Sequence, residues 1–387
     1  MLLVALRLGL TSFGGPTAHL AHFEREYVQR RRWLSGEEYV GLLALCQLLP
    51  GPTSSQVGFL VGLHRAGWWG ALAAWLGFTL PSALLLYAAA TVAPQGHGPI
   101  GDVVVHGLKL VAVPVVAHAV LGMARRHFSG ATTVALAIVS LGFALLPGCG
   151  AGQVLAIATG AAGGAWLMKN STLPALSIVT RVRPAVAWIA LAMFCVLLVG
   201  LPLAARLDPD GDVALAERFY RAGALVFGGG HVVLPLLRDA LVPGGWIGEA
   251  QFLTGYGLAQ AVPGPMFTIA AWLGAMSPAA STPLAGATVA LLAIFLPGLL
   301  LAAAGIPLWQ WVSTHRAAAG ALAGINAAVV GLLAAALYDP VWTGAVLDPS
   351  DAAIAAAGFL LLERSKIAPV LVVALCVVAS AARLAWS

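Results

Sequence analysis

The chain has 387 residues, of which 60% are hydrophobic and only 9% are charged, with a net charge of +5. Soluble domains are about one quarter charged, so this composition excludes a soluble protein and indicates an integral membrane protein with room for about a dozen spans of roughly 20 residues. The basic residues are thinly spread apart from Arg30-Arg31-Arg32, which argues against nucleic-acid binding and favours contact with anionic lipid.

Thirteen apolar runs follow one another along the chain. In order they are residues 2–22, 39–63, 67–93, 103–122, 131–147, 151–168, 184–204, 219–241, 250–276, 283–305, 319–338, 352–362 and 367–385. The first run is interrupted by Arg7 and has no signal-peptide cleavage site, so we interpret it as a membrane element. These runs predict a multi-pass protein of the inner cell membrane.

Two of these runs contain a Pro-Gly-Pro sequence where a continuous helix would be expected. Pro50-Gly51-Pro52 lies in the second run and Pro263-Gly264-Pro265 in the ninth. Proline lacks an N–H and its ring clashes with the carbonyl four residues earlier, so one helix should end near Leu49 and another should begin near Thr53. Interrupted backbone is tolerated in a membrane only inside protein or beside a polar cavity, so matching breaks in two halves predict a transporter's binding site.

Five landmarks of the first half recur in the second half in the same order, at offsets of 213 to 217 residues. They pair Phe13-Gly14-Gly15-Pro16 with Phe227-Gly228-Gly229-Gly230, Trp33-Leu34 with Trp246-Ile247, Gln47 to Pro52 with Gln260 to Pro265, Leu80-Pro81 with Leu296-Pro297, and Gly107-Leu108-Lys109 with Gly324-Ile325-Asn326. Such repetition predicts an all-α polytopic membrane protein built from two homologous six-segment repeats.

The repeats define the expected organisation of the chain. We place the first repeat at residues 1–183, a connecting segment and loop at 184–218, and the second repeat at 219–387. If all the runs cross the membrane, the odd number between equivalent landmarks inverts the second repeat relative to the first. The discontinuous helices are then expected to meet at mid-membrane. The distribution of Lys and Arg between the loops does not decide the orientation.

The helix that follows each break offers hydrogen-bond donors. Its first turn has unpaired N–H groups and roughly half a positive charge, and Thr53, Ser54, Ser55 and Gln56 add neutral polar groups suited to the oxygens of an anion. The alternative is that these side chains only cap a kinked helix. We call Phe13-Gly14-Gly15-Pro16 and Phe227-Gly228-Gly229-Gly230 the glycine motifs. They predict unwound backbone that lines the same cavity as the two breaks, and the alternative is close helix packing by small residues.

Polar side chains inside the apolar runs are few, and each is a candidate by default. Lys109 can meet a dianion or extend to the interface, and His19 and His231 belong to the glycine motifs. We expect no metal site, cofactor or enzyme activity, because no ligand spacing or catalytic motif is present. The candidate substrate-binding residues are Phe13, Gly14, Gly15, Pro16, His19, Gln47, Pro50, Gly51, Pro52, Thr53, Ser54, Ser55, Gln56, Lys109, Phe227, Gly228, Gly229, Gly230, His231, Gln260, Pro263, Gly264, Pro265, Thr268 and Asn326.

With these motifs assembled, the chain resembles the chromate ion transporter family in its long, two-repeat form. The resemblance rests on Leu6 to Pro16, His19, Trp33-Leu34, Cys46 to Gly58, Leu80-Pro81-Ser82, Phe227 to Pro235, Ala259 to Pro265 and Tyr338 to Trp342. One departure from the repeat pattern is Gly230, which stands where the first copy has Pro16. The resemblance implies a membrane exporter of chromate whose halves have opposite orientations and which confers chromate resistance.

The expected partners are chromate, sulfate as a competitor and the lipid bilayer, with a homodimer left open. Membrane potential is sufficient to drive export of a dianion, so proton coupling is optional. One alternative is an exchanger or uptake system for sulfate or another inorganic anion. Another, of a different class, is a membrane sensor or scaffold without transport.

Overall fold

The computed structural model describes residues 1–13, 15–92, 99–146, 152–168, 182–227, 232–365 and 369–384, and the regular structure of these residues is helical. Two π-helical stretches cover Glu24–Arg30 and Leu337–Trp342, and a 3₁₀ turn covers Met266–Thr268. The α-helices are α1 (Leu2–Thr11), α2 (Gly15–Phe23), α3 (Gly36–Leu48), α4 (Thr53–Val92), α5 (Pro99–Leu110), α6 (Ala112–His127), α7 (Ala131–Ala144), α8 (Gly152–Leu167), α9 (Pro184–Ala204), α10 (Asp212–Leu225), α11 (Val233–Leu241), α12 (Glu249–Ala261), α13 (Ile269–Met276), α14 (Pro283–Thr314), α15 (Arg316–Ala336), α16 (Thr343–Ala345), α17 (Pro349–Ser365) and α18 (Pro369–Leu384).

Several of these helices are suited to a membrane. Within the described residues, five helical stretches are long and apolar enough to cross one, and they are Thr53–Val92, Val103–His127, Pro184–Ala205, Pro283–Pro307 and Arg316–Ala345. Shorter apolar helices accompany them. The structure therefore agrees with the predicted all-α, multi-pass class.

Both predicted helix breaks are present. Helix α3 begins with a capping box, in which Ser35 Oγ accepts the Glu38 N–H and the Glu38 carboxylate accepts the Ser35 N–H. It ends at Leu48, because Leu49 is held in an extended conformation before Pro50. In the second repeat, α12 ends at Ala261 and Val262 is extended in the same way.

The glycine motifs also interrupt their apolar runs. Runs 2–22 and 219–241 are each divided into two helices, and the residues that directly follow the first helix of each pair, Ser12-Phe13 and Val226-Phe227, are not helical. Gly15 has a φ of 76°, which favours glycine. The chain thus leaves the helical conformation at Phe13 and at Phe227, whereas Gly15 and Pro16 already belong to α2. The interpretation of these motifs as unwound backbone that lines a cavity stays a prediction.

Two other runs differ from the simple sequence expectation. Helix α4 continues through the short gap expected between runs 39–63 and 67–93, and it bends sharply at Ala66-Gly67, where the backbone leaves the helical region. Run 103–122 consists of α5 and α6, which meet at a single turn residue, Val111.

The repeat is visible in matching helix packing within each half. In the first repeat α1 packs on α4, and a Cβ placed on Gly9 would lie 2.8 Å from the Gly77 carbonyl oxygen. In the second repeat α10 packs on α14, and a Cβ placed on Gly223 would lie 2.2 Å from the Ile294 carbonyl oxygen. The Cβ on Gly9 would also lie 2.8 Å from the Phe78 carbonyl oxygen. Gly9 and Gly223 are equivalent at an offset of 214, and Phe78 and Ile294 at 216.

The halves also exchange helices. Helix α8 of the first half packs on α15 of the second, and a Cβ on Gly160 would lie 2.8 Å from the Gly324 carbonyl oxygen. Reciprocally, α5 packs on α18, and a Cβ on Gly107 would lie 2.6 Å from the Val377 Cα. Because Gly107 and Gly324 are equivalent, as are Gly160 and Val377, these contacts are the pair that a twofold axis produces. The inverted orientation of the repeats stays a prediction.

The connecting helix α9 lies at the periphery. Only 11% of the most apolar 18-residue stretch of this helix is buried within the protein, and the helix packs on α10 and α14. The Tyr220 hydroxyl donates to the Phe194 carbonyl and fixes α10 to α9. An apolar helix with so little protein contact is suited to face lipid.

Candidate anion site at two crossings between the repeats

Each helix break contacts the residue that directly precedes the glycine motif of the opposite repeat. At the first crossing, the Gly264 N–H donates to the Ser12 carbonyl at 3.0 Å. Gly264 has a φ of 109°, and a Cβ there would lie 2.7 Å from Ser82 Oγ. Ser82 Oγ also donates to the Thr79 carbonyl at 3.1 Å. We define the first crossing as Ser12, His19, Thr79, Ser82 and Gly264.

The second crossing is the reciprocal arrangement. The Gly51 N–H donates to the Val226 carbonyl at 2.7 Å, and a Cβ on Gly51 would lie 2.7 Å from the Gly298 Cα. The side-chain amide of Gln56 donates to the carbonyls of Pro50 and Gly298, both at 2.9 Å. We define the second crossing as Gly51, Gln56, Val226 and Gly298. Gln56 therefore fixes the break to α14, and its predicted contact with substrate stays a prediction.

His19 joins the start of α4 to the first crossing. Its side chain is 1% exposed, and its ring contacts Phe78 edge-on with centroids 5.4 Å apart. Nε2 lies 3.1 Å from the Ser12 carbonyl, and Nδ1 lies 3.5 Å from Ser54 Oγ. A carbonyl can only accept, so Nε2 carries the hydrogen and Nδ1 is left to accept from Ser54 in the neutral ring. The Ser12 carbonyl thus accepts from both His19 and Gly264.

The two helix starts that follow the breaks differ in their free donors. Helix α4 begins as an α-helix with Thr53, Ser54, Ser55 and Gln56 all buried. After the second break the chain forms a 3₁₀ turn, in which both the N–H and the hydroxyl of Thr268 donate to the Pro265 carbonyl. The first helix start is therefore better supplied with donors for an anion.

Several buried hydroxyls near the crossings have no hydrogen-bond partner in the described chain. They are those of Ser12, Ser55 and Thr79, whose side chains are at most 1% exposed. Leaving a buried polar group unpaired costs about 1–3 kcal/mol, whereas a hydroxyl can donate to an oxyanion. These three groups are therefore where a bound anion would supply the missing partner.

Other predicted site residues lie elsewhere or make different contacts. Lys109, half-buried near the end of α5, makes no hydrogen bond or ion pair to a described residue of either crossing. Asn326 is buried within α15, and its Oδ1 has no described partner. Gln260 donates to Met266 Sδ at 3.8 Å, and Gln47 is half-buried. Phe13 is 37% exposed.

Five predicted site residues lie outside the described residues, and they are Gly14, Gly228, Gly229, Gly230 and His231. The residue that precedes each glycine motif is described. The Ser12 carbonyl accepts from the Gly264 N–H, and the Val226 carbonyl accepts from the Gly51 N–H.

Two histidines of the first repeat meet carboxylates that the sequence did not pair with them. His106 Nε2 lies 2.9 Å from Asp351 Oδ1, and His118 Nδ1 lies 3.3 Å from Glu363 Oε2. Both carboxylates come from α17, so these pairs join the repeats. Among the described residues no group of three or more potential ligands is close enough to hold a metal ion.

An ion-pair network holds the helix after the second glycine motif. Arg238 in α11 lies 3.1 Å from Glu249 at the start of α12 and 3.9 Å from Asp339 after α15. The neighbouring Asp239 accepts from the Gln153 amide of α8 at 2.6 Å. Four elements are thereby fixed around this end of α11.

Sequence reasoning omitted Ser12, Thr79 and Ser82 from the candidate residues. Ser12 directly precedes the first glycine motif, and Ser82 directly follows Leu80-Pro81. Both neighbours had been recognised as repeat landmarks. Comparing the residues beside each landmark between the repeats would have shown that they are polar only in the first copy.

Comparison with known proteins agrees with the two-part architecture. Residues 1–165 and 213–381 match the model of the family described as chromate transporter. The chain belongs to the chromate transporter family. The resemblance found in the sequence motifs is confirmed, and the connecting helix α9 lies entirely between the two matched parts.

Two relatives align with most of the length of this chromate transporter family member. It is 29% identical over 378 residues to the chromate transport protein of Pseudomonas aeruginosa, with 95% of this chain and 88% of the relative covered. It is 25% identical over 393 residues to the chromate transport protein of Cupriavidus metallidurans, with 95% and 89% covered. No solved structure matches the chain.

Proposed function

We propose that this chain exports chromate from the cytoplasm and thereby confers chromate resistance. Family membership supports chromate as the substrate. The observation that carries the proposal is the meeting of the two repeats at Ser12, where the carbonyl accepts from His19 and from Gly264 of the opposite break. A site built from both repeats changes whenever the repeats move relative to each other, as alternating access requires.

Neutral donors suit a dianion that must be bound and then released. The first turn of α4 supplies backbone N–H groups and buried hydroxyls, and no Lys or Arg is a member of either crossing. A fixed positive charge would hold a dianion more tightly, because charge-assisted hydrogen bonds are about twice as strong as neutral ones. Weaker neutral contacts allow turnover.

Membrane potential can drive this export alone. At 100 mV, negative inside, each charge contributes about 2.3 kcal/mol, so a leaving dianion gains about 4.6 kcal/mol. This corresponds to a concentration ratio on the order of a thousandfold. Proton coupling is therefore an addition that the energetics do not require.

Sulfate is the expected competitor. It is a tetrahedral dianion like chromate, and hydroxyl and backbone donors recognise the oxygens that both ions share. The same chemistry supports a second candidate function, in which the chain exchanges or takes up sulfate and chromate is an incidental passenger.

Chromate accumulation in intact cells tests the proposal. Cells carrying the gene should accumulate less chromate than cells without it, and the difference should disappear when the membrane potential is collapsed. Collapsing only the pH gradient should leave most of the difference. Greater accumulation in cells carrying the gene would contradict export and favour uptake, and equal accumulation would favour a protein without transport.

A further inference from the structure

The two crossings occupy equivalent regions of the two repeats but differ in the polarity of four paired residues. At offsets of 214 and 216 residues, each polar member of the first crossing has an apolar counterpart or a glycine in the second repeat. The pairs are Ser12 with Val226, His19 with Val233, Thr79 with Phe295, and Ser82 with Gly298. All eight positions are buried. A symmetric fold therefore contains one crossing with hydroxyl and imidazole side chains and one crossing whose polar side chain is Gln56.

At the second crossing the donors are already used. The Gly51 N–H is bonded to the Val226 carbonyl, and the two amide hydrogens of Gln56 are bonded to two further carbonyls. The remaining surface is Val226, the backbone of Gly298 and the unpartnered Oε1 of Gln56, which can only accept a hydrogen bond. This crossing holds the break in place and has no described donor left for an anion.

At the first crossing the backbone joint leaves side-chain donors free. Gly264 and His19 both donate to the Ser12 carbonyl, so the Ser12 hydroxyl takes no part in the joint and has no partner. Thr79 follows Phe78, whose ring contacts His19, and its hydroxyl is also unpartnered. Ser54 connects His19 to the first turn of α4, where the Ser55 hydroxyl is the third unpartnered donor.

We infer that the oxyanion binds at the first crossing only, between the Ser12 and Thr79 hydroxyls and the first turn of α4 with Ser55, while the second crossing is a structural joint. The inference rests on the proposed function and deepens it. It assigns specificity to the first repeat's side chains and to Gly264 of the second. It also explains how a repeated fold binds one substrate instead of two.

The test compares hydroxyl removal at the first crossing with hydroxyl addition at the second, in purified protein reconstituted in proteoliposomes. Ser12→Ala and Thr79→Val remove a hydroxyl with little change in volume. Val226→Thr adds a hydroxyl at the equivalent position of the second crossing, and Ser140→Ala removes a buried hydroxyl from α7 as a matched control. Each hydrogen bond to a charged group contributes about 1.5–3 kcal/mol, so Ser12→Ala and Thr79→Val should each raise the KM for chromate about tenfold or more. Val226→Thr and Ser140→Ala should leave the KM within about twofold of wild type.

A binding measurement distinguishes lost affinity from lost folding. Sulfate should raise the thermal unfolding midpoint of the wild-type protein and of Val226→Thr, and the concentration needed should be about tenfold higher for Ser12→Ala. Wild-type transport with an unchanged KM in Ser12→Ala and Thr79→Val would overturn the inference and leave the proposed function intact. An equal change in Val226→Thr would also overturn it, because both crossings would then contact substrate. Absence of chromate transport by the wild-type protein would overturn the proposed function itself.

Discussion

Gly51 and Gly264 are the residues through which each helix break contacts the opposite repeat. Their φ values of 121° and 109° lie outside the regions that residues with a Cβ favour. Each also donates its N–H to a carbonyl of the opposite repeat. A side chain at either position would therefore strain the backbone and push apart the two segments that form the crossing.

Gly51→Ala should abolish chromate efflux and lower the stability of the protein. The added Cβ would lie 2.7 Å from the Gly298 Cα, a backbone atom that cannot rotate away, and the backbone strain alone costs more than about 1 kcal/mol. Efflux from cells and the thermal unfolding midpoint in detergent are the two measurements. Gly122→Ala is the matched control, because a Cβ there meets nothing within 4 Å, and it should leave both unchanged or slightly raise the midpoint. Equal behaviour of the two variants would refute the close approach.

The membership of the candidate site could be predicted only in part from the sequence. His19, Ser54 and Gly264 were predicted as site residues, and they are brought together through Ser12. Lys109 was a candidate because ionisable groups are rare at membrane depth, but it has no described contact with a crossing. Rarity identifies unusual residues, whereas their neighbours depend on how distant segments pack.

At the scale of elements, the interrupted helices follow from local chemistry. Leu49 and Val262 are extended because a proline follows each, and this effect needs no information from the rest of the chain. The partner of each break could not be predicted in this way. It lies about 175 to 250 residues away along the chain, and only the exchange of helices between the repeats brings it close.

Replacing Pro50 and Pro52 together by alanine should remove transport while the protein still folds. Alanine restores N–H donors and permits α3 to continue towards α4, which would shift the first turn of α4 away from His19. Chromate efflux from cells should fall to the level of cells without the gene, with normal amounts of protein in the membrane. The control is Pro202→Ala in the peripheral helix α9, which should keep wild-type efflux. Wild-type efflux in the double variant would favour a break that serves packing only.

At the scale of the whole molecule, the reciprocal contacts define a twofold arrangement with unequal chemistry. The helix pairs α8 with α15 and α5 with α18 join the two halves, and each break is hydrogen-bonded to the opposite half. Duplication supplies the scaffold, because each half positions the break of the other. Divergence of residues such as Ser12 and Val226 then supplies the difference in polarity between the crossings.

We propose that a dianion crosses the membrane at the first crossing under the membrane potential. The most direct test of this proposal measures initial chromate uptake by sealed proteoliposomes while a potassium diffusion potential is varied. Uptake should increase as the interior is made more positive and should be absent from the Pro50→Ala, Pro52→Ala double variant. Uptake that is independent of the imposed potential, or equal in the variant and the wild-type protein, would contradict the account.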